Sequence, residues 1–312
     1  MKKTLCLLLA ILMLLPLLYS CGDKENPATD FYYEENDEGG ITITSYRGTD
    51  PNIIIPSKIE GKNVTIIGFQ AFSKRPITSI VLPDTITTIE NIAFFQCFYL
   101  EKITLSSQLQ TIGPYAFGEC SALTKIKLPE GLLHLERGAF SECSSLTHIE
   151  IPKGITTIGE DVFYSSGLKT ITLNEGLETI ESCAFNRTEI EKIVFPSTVR
   201  EIKGNCFGSC SNLKTVVLND GIQKVSAGAF STCSSLSEIV IPKTVTNISE
   251  YAFVRCENFH AMKFEGNAPE FFRDLECDAV YGDDNGIYTI YYHEGAEGFT
   301  SPEWNGYPTK IW

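Results

Sequence analysis

The chain has 312 residues, 43% of them hydrophobic and 21% charged, a balance that favours a folded body over a disordered one. Twenty-five Lys and Arg stand against 39 Asp and Glu, a formal net charge of −14; this argues against nucleic acid or an anionic membrane surface as the main partner, since both require clustered cations. Eleven cysteines are many for a cytosolic chain, whereas four histidines leave little material for metal or imidazole chemistry.

Met1-Lys2-Lys3 is a cationic head, Leu5 to Leu18 an apolar body, and Ser20 a small residue before Cys21, which is the layout of a secretory signal over residues 1–20. The apolar body is shorter than the ~20 residues of a membrane-spanning helix. Leu18-Tyr19-Ser20-Cys21 resembles a bacterial lipobox, in which the Cys21 thiol carries the lipid and becomes the new N-terminus; Tyr19 stands where that motif usually has a small residue. The other reading is an ordinary signal peptide with an incidental cysteine. Residues 21–30 read as a polar tether, and the acids just after Cys21 resemble the surface-export signal of Bacteroidetes lipoproteins. Loss of residues 1–20 takes Lys2 and Lys3 and no acid, so the mature charge becomes −16. The address is therefore a surface-exposed outer-membrane lipoprotein, touching the membrane only through its acyl chains.

Residues 31–56 read as an N-terminal cap: Phe31-Tyr32-Tyr33 and Ile41-Thr42-Ile43-Thr44 flank the turn Asn36-Asp37-Glu38-Gly39-Gly40, and a first strand follows. From 57 to 264 one frame recurs. Phe72, Phe94, Phe117, Phe140, Phe163, Phe185, Phe207, Phe230 and Phe253 are spaced by 22 or 23 residues, inside the pattern L-x-x-I-x-L-P-x-x-V-x-x-I-G-x-x-A-F-x-x-C. A clean copy runs Leu146, Ile149, Ile151, Pro152, Ile155, Ile158, Gly159, Phe163. The I-x-L alternation predicts a short strand with one buried face. The proline ends it, because it cannot donate to a ladder. The later apolar positions turn the chain back into the same interior. One coil cannot bury its own faces, so the coils must stack, with strands ~4.8 Å apart in a parallel sheet. Pro56 lies five residues farther from its Phe than in a regular coil, which places an insertion around Ile59 to Asn63.

Cysteine falls three residues after the Phe at Cys97, Cys120, Cys143, Cys210, Cys233 and Cys256, and Arg75, Ser166 and Thr188 replace it elsewhere. Every coil with the cysteine has six positions from the Phe to the next strand's first apolar residue, and every coil without it has five. The thiol thus reads as a small buried filler required by the longer turn. A disulfide ladder fits less well, because stacked parallel side chains keep Cβ atoms ~4.8 Å apart, beyond the usual ~3.8 Å. A linear stack also makes no tetrahedral metal site. Cys183, Cys206 and Cys277 stand off the ladder.

The middle residue of I-x-L points outward and reads Val81, Thr104, Lys127, Glu150, Thr172, Val194, Val217, Val240, Lys263 along the stack. The neighbouring outward column reads Ser79, Lys102, Lys125, His148, Thr170, Lys192, Thr215, Glu238, Ala261. Val194, Val217 and Val240, with Lys192 and Thr215 beside them, make a candidate partner-binding patch. The alternative is that these valines express strand propensity alone. Residues 265–312 lose the frame and hold both tryptophans, Trp304 and Trp312, among many tyrosines and phenylalanines. They read as a C-terminal cap, or as an aromatic platform for sugar rings. Asp278, Asp283 and Asp284 with Asn285 and Gly286 lack the spacing of a calcium loop.

The frame resembles the BspA-type leucine-rich repeat family of bacterial surface proteins over about residues 41–264, through its Ala-Phe-x-x-Cys and Ile-x-Leu-Pro elements. The resemblance implies a right-handed solenoid with a parallel sheet face, mainly strand and turn with little helix, and a role in adhesion or recognition. No serine elbow, phosphate loop or metal-ligand cluster is present in the sequence, so neither enzyme chemistry nor a cofactor is expected. The expected partner is a host or microbial protein, with a glycan as the alternative; the oligomeric state is not legible.

Overall fold

A computed structural model describes residues 24–272 and 288–312. The signal segment, Cys21, Cys277 and the acidic group from Asp278 to Gly286 lie outside the described residues.

The chain winds as a solenoid of about eleven turns with parallel sheets and essentially no helix. Each regular coil contributes three segments. Its first strand is the I-x-L element, as in Ser79–Val81, Lys102–Thr104, His148–Glu150, Thr170–Thr172, Lys192–Val194, Thr215–Val217 and Glu238–Ile241. The central isoleucines Ile80, Ile149, Ile193 and Ile239 are buried between outward neighbours, as the alternation requires. The proline then opens a tight turn. Its carbonyl accepts the N–H three residues on, as in Ile86 to Pro83 (3.1 Å) and Ile155 to Pro152 (3.1 Å), and this swings the next apolar residue into the core. A second, two-residue strand follows, as in Thr88–Ile89, Thr157–Ile158 and Lys224–Val225.

The third segment carries the Phe. Residues two before and two after it have positive φ, for instance Ile92 (49°) and Gln96 (58°) around Phe94, with glycine at the earlier position only at Gly138 and Gly228. Left-handed backbone costs an L-residue ~1–2 kcal/mol. The offset is a ladder between coils: the N–H groups of Ile92, Phe94 and Gln96 donate to Pro114, Ala116 and Gly118 at 2.8, 2.8 and 2.9 Å. The Phe rings stack along the axis with centroids 5.1–5.9 Å apart from Phe72 to Phe253. Tyr46 and Phe31 extend the column at one end, and Phe259, Tyr288 and Tyr307 at the other.

The ends close the stack. Phe31–Glu35 pairs antiparallel with Ile41–Tyr46 across the turn at residues 36–40, where the Asn36 side-chain carbonyl accepts the Gly40 N–H at 2.9 Å. The insertion near Ile59 is a small hairpin: Lys58–Ile59 runs antiparallel to Lys62–Ile67 through Glu60 and Gly61, both at positive φ (52° and 81°), as a two-residue primed turn demands. At the far end Thr289–Tyr292 pairs in register with Ala261–Phe264, and Tyr307–Ile311 adds beyond it. This pairing corrects one position of the outward column, since Ala261 is buried.

The first-strand face also differs from one continuous ladder. It divides into four groups of strands, and residues 125–127 share only a single bridge, Lys102 with Lys125.

Candidate functional site

The outward face of the first-strand sheet is the surface that the fold leaves for recognition. Its side chains belong to strands whose alternate residues anchor the core, so they are held in fixed positions. Lys192–Val194 and Thr215–Val217 pair in parallel register, which sets Val194 against Val217 and Lys192 against Thr215. Val240 lies on the next strand, Glu238–Ile241, which begins a new ladder with Ala261–Phe264. The three valines are 47%, 36% and 37% exposed. Val81 is exposed too, but lies several coils away.

Charged neighbours frame the stripe. Lys214 pairs with Glu191 at 3.2 Å and Lys263 with Glu238 at 2.7 Å. Such exposed pairs contribute little to stability, but they fix where charge lies around the valines. Lys192 makes no ion pair among the described residues.

The six ladder cysteines are buried and free. Each has a role beyond filling space: its Sγ donates to the Phe carbonyl of the preceding coil, as in Cys97 to Phe72 (3.0 Å), Cys143 to Phe117 (3.1 Å) and Cys256 to Phe230 (3.1 Å). Burial pushes the Cys97 and Cys143 thiols up to about 12 and Cys210 up to about 11. The short turns solve the same corner differently. Thr188 Oγ1 donates to the carbonyl of its own coil's Phe185 at 2.9 Å, while Ser166 Oγ is buried without a hydrogen-bond partner. Gly167 closes the Ser166 turn because a Cβ there would come 2.1 Å from the Ser144 carbonyl oxygen. Cys206 is buried in place of the usual alanine, and Cys183 is half-buried at a left-handed position.

The C-terminal aromatics divide. Tyr288, Trp304 and Tyr307 are buried, and Phe299 packs edge-on against Trp304 at 4.9 Å. Trp312 is partly exposed, lies over His293 at 4.8 Å and has the Lys263 ammonium 5.8 Å from its ring. This arrangement covers the last coil and presents no row of open rings among the described residues. Those residues also contain no group of three or more His, Cys, Asp or Glu able to hold a metal ion.

An exposed aromatic pair, Phe98 and Tyr99, escaped the sequence reading. Its signal was present: other cysteine turns have small or polar residues there, such as Ser144-Ser145 and Ser234-Ser235.

A stack of 22–23-residue coils with an Ile/Leu strand and a Phe turn defines a leucine-rich-repeat solenoid of bacterial type. The chain belongs to the BspA type leucine rich repeat family, whose model matches it in six copies within residues 65–189 and 134–260. Among solved structures it is similar to a leucine rich cell surface protein of Faecalibacterium prausnitzii, at 24% identity over 80% of this chain and 79% of that chain, with a TM-score of 0.63. It is also similar to a leucine rich repeat protein of T. pallidum, at 24% identity over 76% of this chain and 91% of that one, with a TM-score of 0.51. No curated protein matches the sequence.

Proposed function

We propose that this chain is a lipid-anchored recognition protein of the bacterial surface, held by Cys21 and binding a host or microbial protein through the outward face of its solenoid. The observation that carries the reading is the valine stripe. Val194 and Val217 are in direct register and Val240 continues the row, all exposed on a rigid sheet whose core needs none of them. Exposed β-branched residues flanked by ordered charges fit an apolar contact with a polar rim. The similar Faecalibacterium prausnitzii protein is described as a cell surface protein, which agrees with the export layout of residues 1–21. The burial of Tyr288, Trp304 and Tyr307 supports the cap role over a sugar platform.

The test is capture by the chain lacking residues 1–21 on host matrix proteins and on a glycan array, with wild type and Val217→Glu in parallel. Val217 faces outward, so the variant should keep its melting temperature within ~0.5 kcal/mol of stability while losing partner capture. Capture that survives the change unaltered removes the stripe from the account, and capture of glycans alone would favour the sugar reading.

A further inference from the structure

Three features converge on the junction between the coil of Phe140 and the coil of Phe163. The first strand of the Phe140 coil, at residues 125–127, forms no ladder with His148–Glu150. Its second strand, His134–Leu135, pairs with Thr111–Ile112 but not with Thr157–Ile158. The Phe140 and Phe163 rings are 5.9 Å apart, the widest step between Phe72 and Phe253. The turn ladder nevertheless holds: Phe140 N–H donates to Val162 at 2.9 Å and Glu142 N–H to Tyr164 at 2.7 Å. The two coils are therefore clamped at the turn and parted at the strands.

On the first-strand side the opening forms a cleft of about 840 Å³. Ile126, Leu128 and Ile149 line its floor, and Lys125, Lys127 and Lys153 its rim. Where the ladder is intact, Leu82 N–H donates to Thr104 (2.9 Å) and Ile151 N–H to Thr172 (3.0 Å). The corresponding N–H groups of Leu105 and Leu128 make no such bond to the next coil among the described residues. The cleft thus presents backbone donors and acceptors at strand spacing, which an added strand can use. Its charge is also out of keeping with the molecule. Lys125, Lys127, Lys153 and the adjoining Lys102 have no ion-pair partner among the described residues, on a chain of net charge −14, while Glu150 is engaged by His148 at 3.8 Å.

We infer that this cleft binds an extended acidic peptide segment of a partner protein, its carboxylates meeting the lysine rim and its backbone completing the interrupted ladder. The inference rests on the reading of the chain as a protein-recognition module and names the chemistry of one partner segment. A polyanionic glycan would answer the charge but would leave the backbone groups unpaired.

The test is fluorescence polarisation of the mature chain with a labelled heptapeptide of alternating Glu and Val. The same peptide with methylated backbone amides, its Gln/Val counterpart, and a heparin fragment complete the set. Binding should weaken as salt rises. It should fall about tenfold or more with the methylated or Gln/Val peptide, and equally in Lys125→Glu/Lys127→Glu, whose outward positions leave the melting temperature unchanged. Equal binding of the methylated peptide, indifference to the double variant, no binding of the acidic peptide, or preference for heparin would each overturn the inference. The valine stripe is judged by Val217→Glu on other coils, so the two proposals fail separately.

Discussion

Cys143 shows how one side chain serves two coils. Its backbone N–H closes its own Phe turn onto Phe140 at 3.4 Å, and its Sγ reaches back to Phe117, whose carbonyl also accepts the Cys120 N–H at 3.2 Å. The thiol is neutral when protonated, and burial raises its pKa to about 12, against about 8.5 in the unfolded chain. Below pH ~8.5 both states hold the proton and the full stability is present. Above it the unfolded chain releases a proton that the native chain keeps, so stability falls by up to ~1.4 kcal/mol per pH unit for each such thiol, until the folded pKa is passed. The melting temperature should therefore decline from pH 8.5 to 11, and decline less steeply in Cys143→Ala; equal slopes would refute the buried-thiol account. The sequence disclosed that the cysteines follow turn length. It hid their donor role, because each acceptor lies in the preceding coil, 25 or 26 residues back in the chain. Ser166, which has the same place in a shorter turn and no partner, shows that the geometry rather than the residue makes the bond.

At the scale of the element, the Phe turn joins the coils most continuously. Its ladder runs unbroken past the junction where both strand ladders stop, and the stacked rings fill the space behind it. Truncating Phe140 to Ala opens a cavity between Phe117 and Phe163 and should cost ~3–5 kcal/mol. An unchanged thermal midpoint would contradict the shared column. The nine-fold Phe spacing made this element legible from the chain alone. Its extension was not: Tyr46 enters from a hairpin and Tyr288 from a cap, both outside the frame. The gap in the first-strand ladder was hidden for another reason. Leu123, Ile126 and Leu128 obey the pattern fully, yet Lys102 stands opposite Lys125, and like charges in cross-strand positions oppose pairing.

Over the whole molecule, a stack of near-identical coils converts a short motif into a long, rigid face. The core positions repeat, so what varies along the axis is the outward column, and function resides in that variation. Basic residues gather at the parted coils, valines follow farther along, and paired charges separate them. The valine row was readable from the frame because the middle residue of I-x-L always points out. Its usefulness to a partner was not, since exposure and strand propensity select the same residues. The account's central claim is that this face, and not the C-terminal cap, meets the partner. Hydroxyl-radical footprinting of the mature chain with a captured partner tests that claim most directly. Protection should fall on Val194, Val217 and Val240 and leave Trp312 as reactive as in the free chain. Protection of Trp312 and its neighbours, with the valines unchanged, would contradict it.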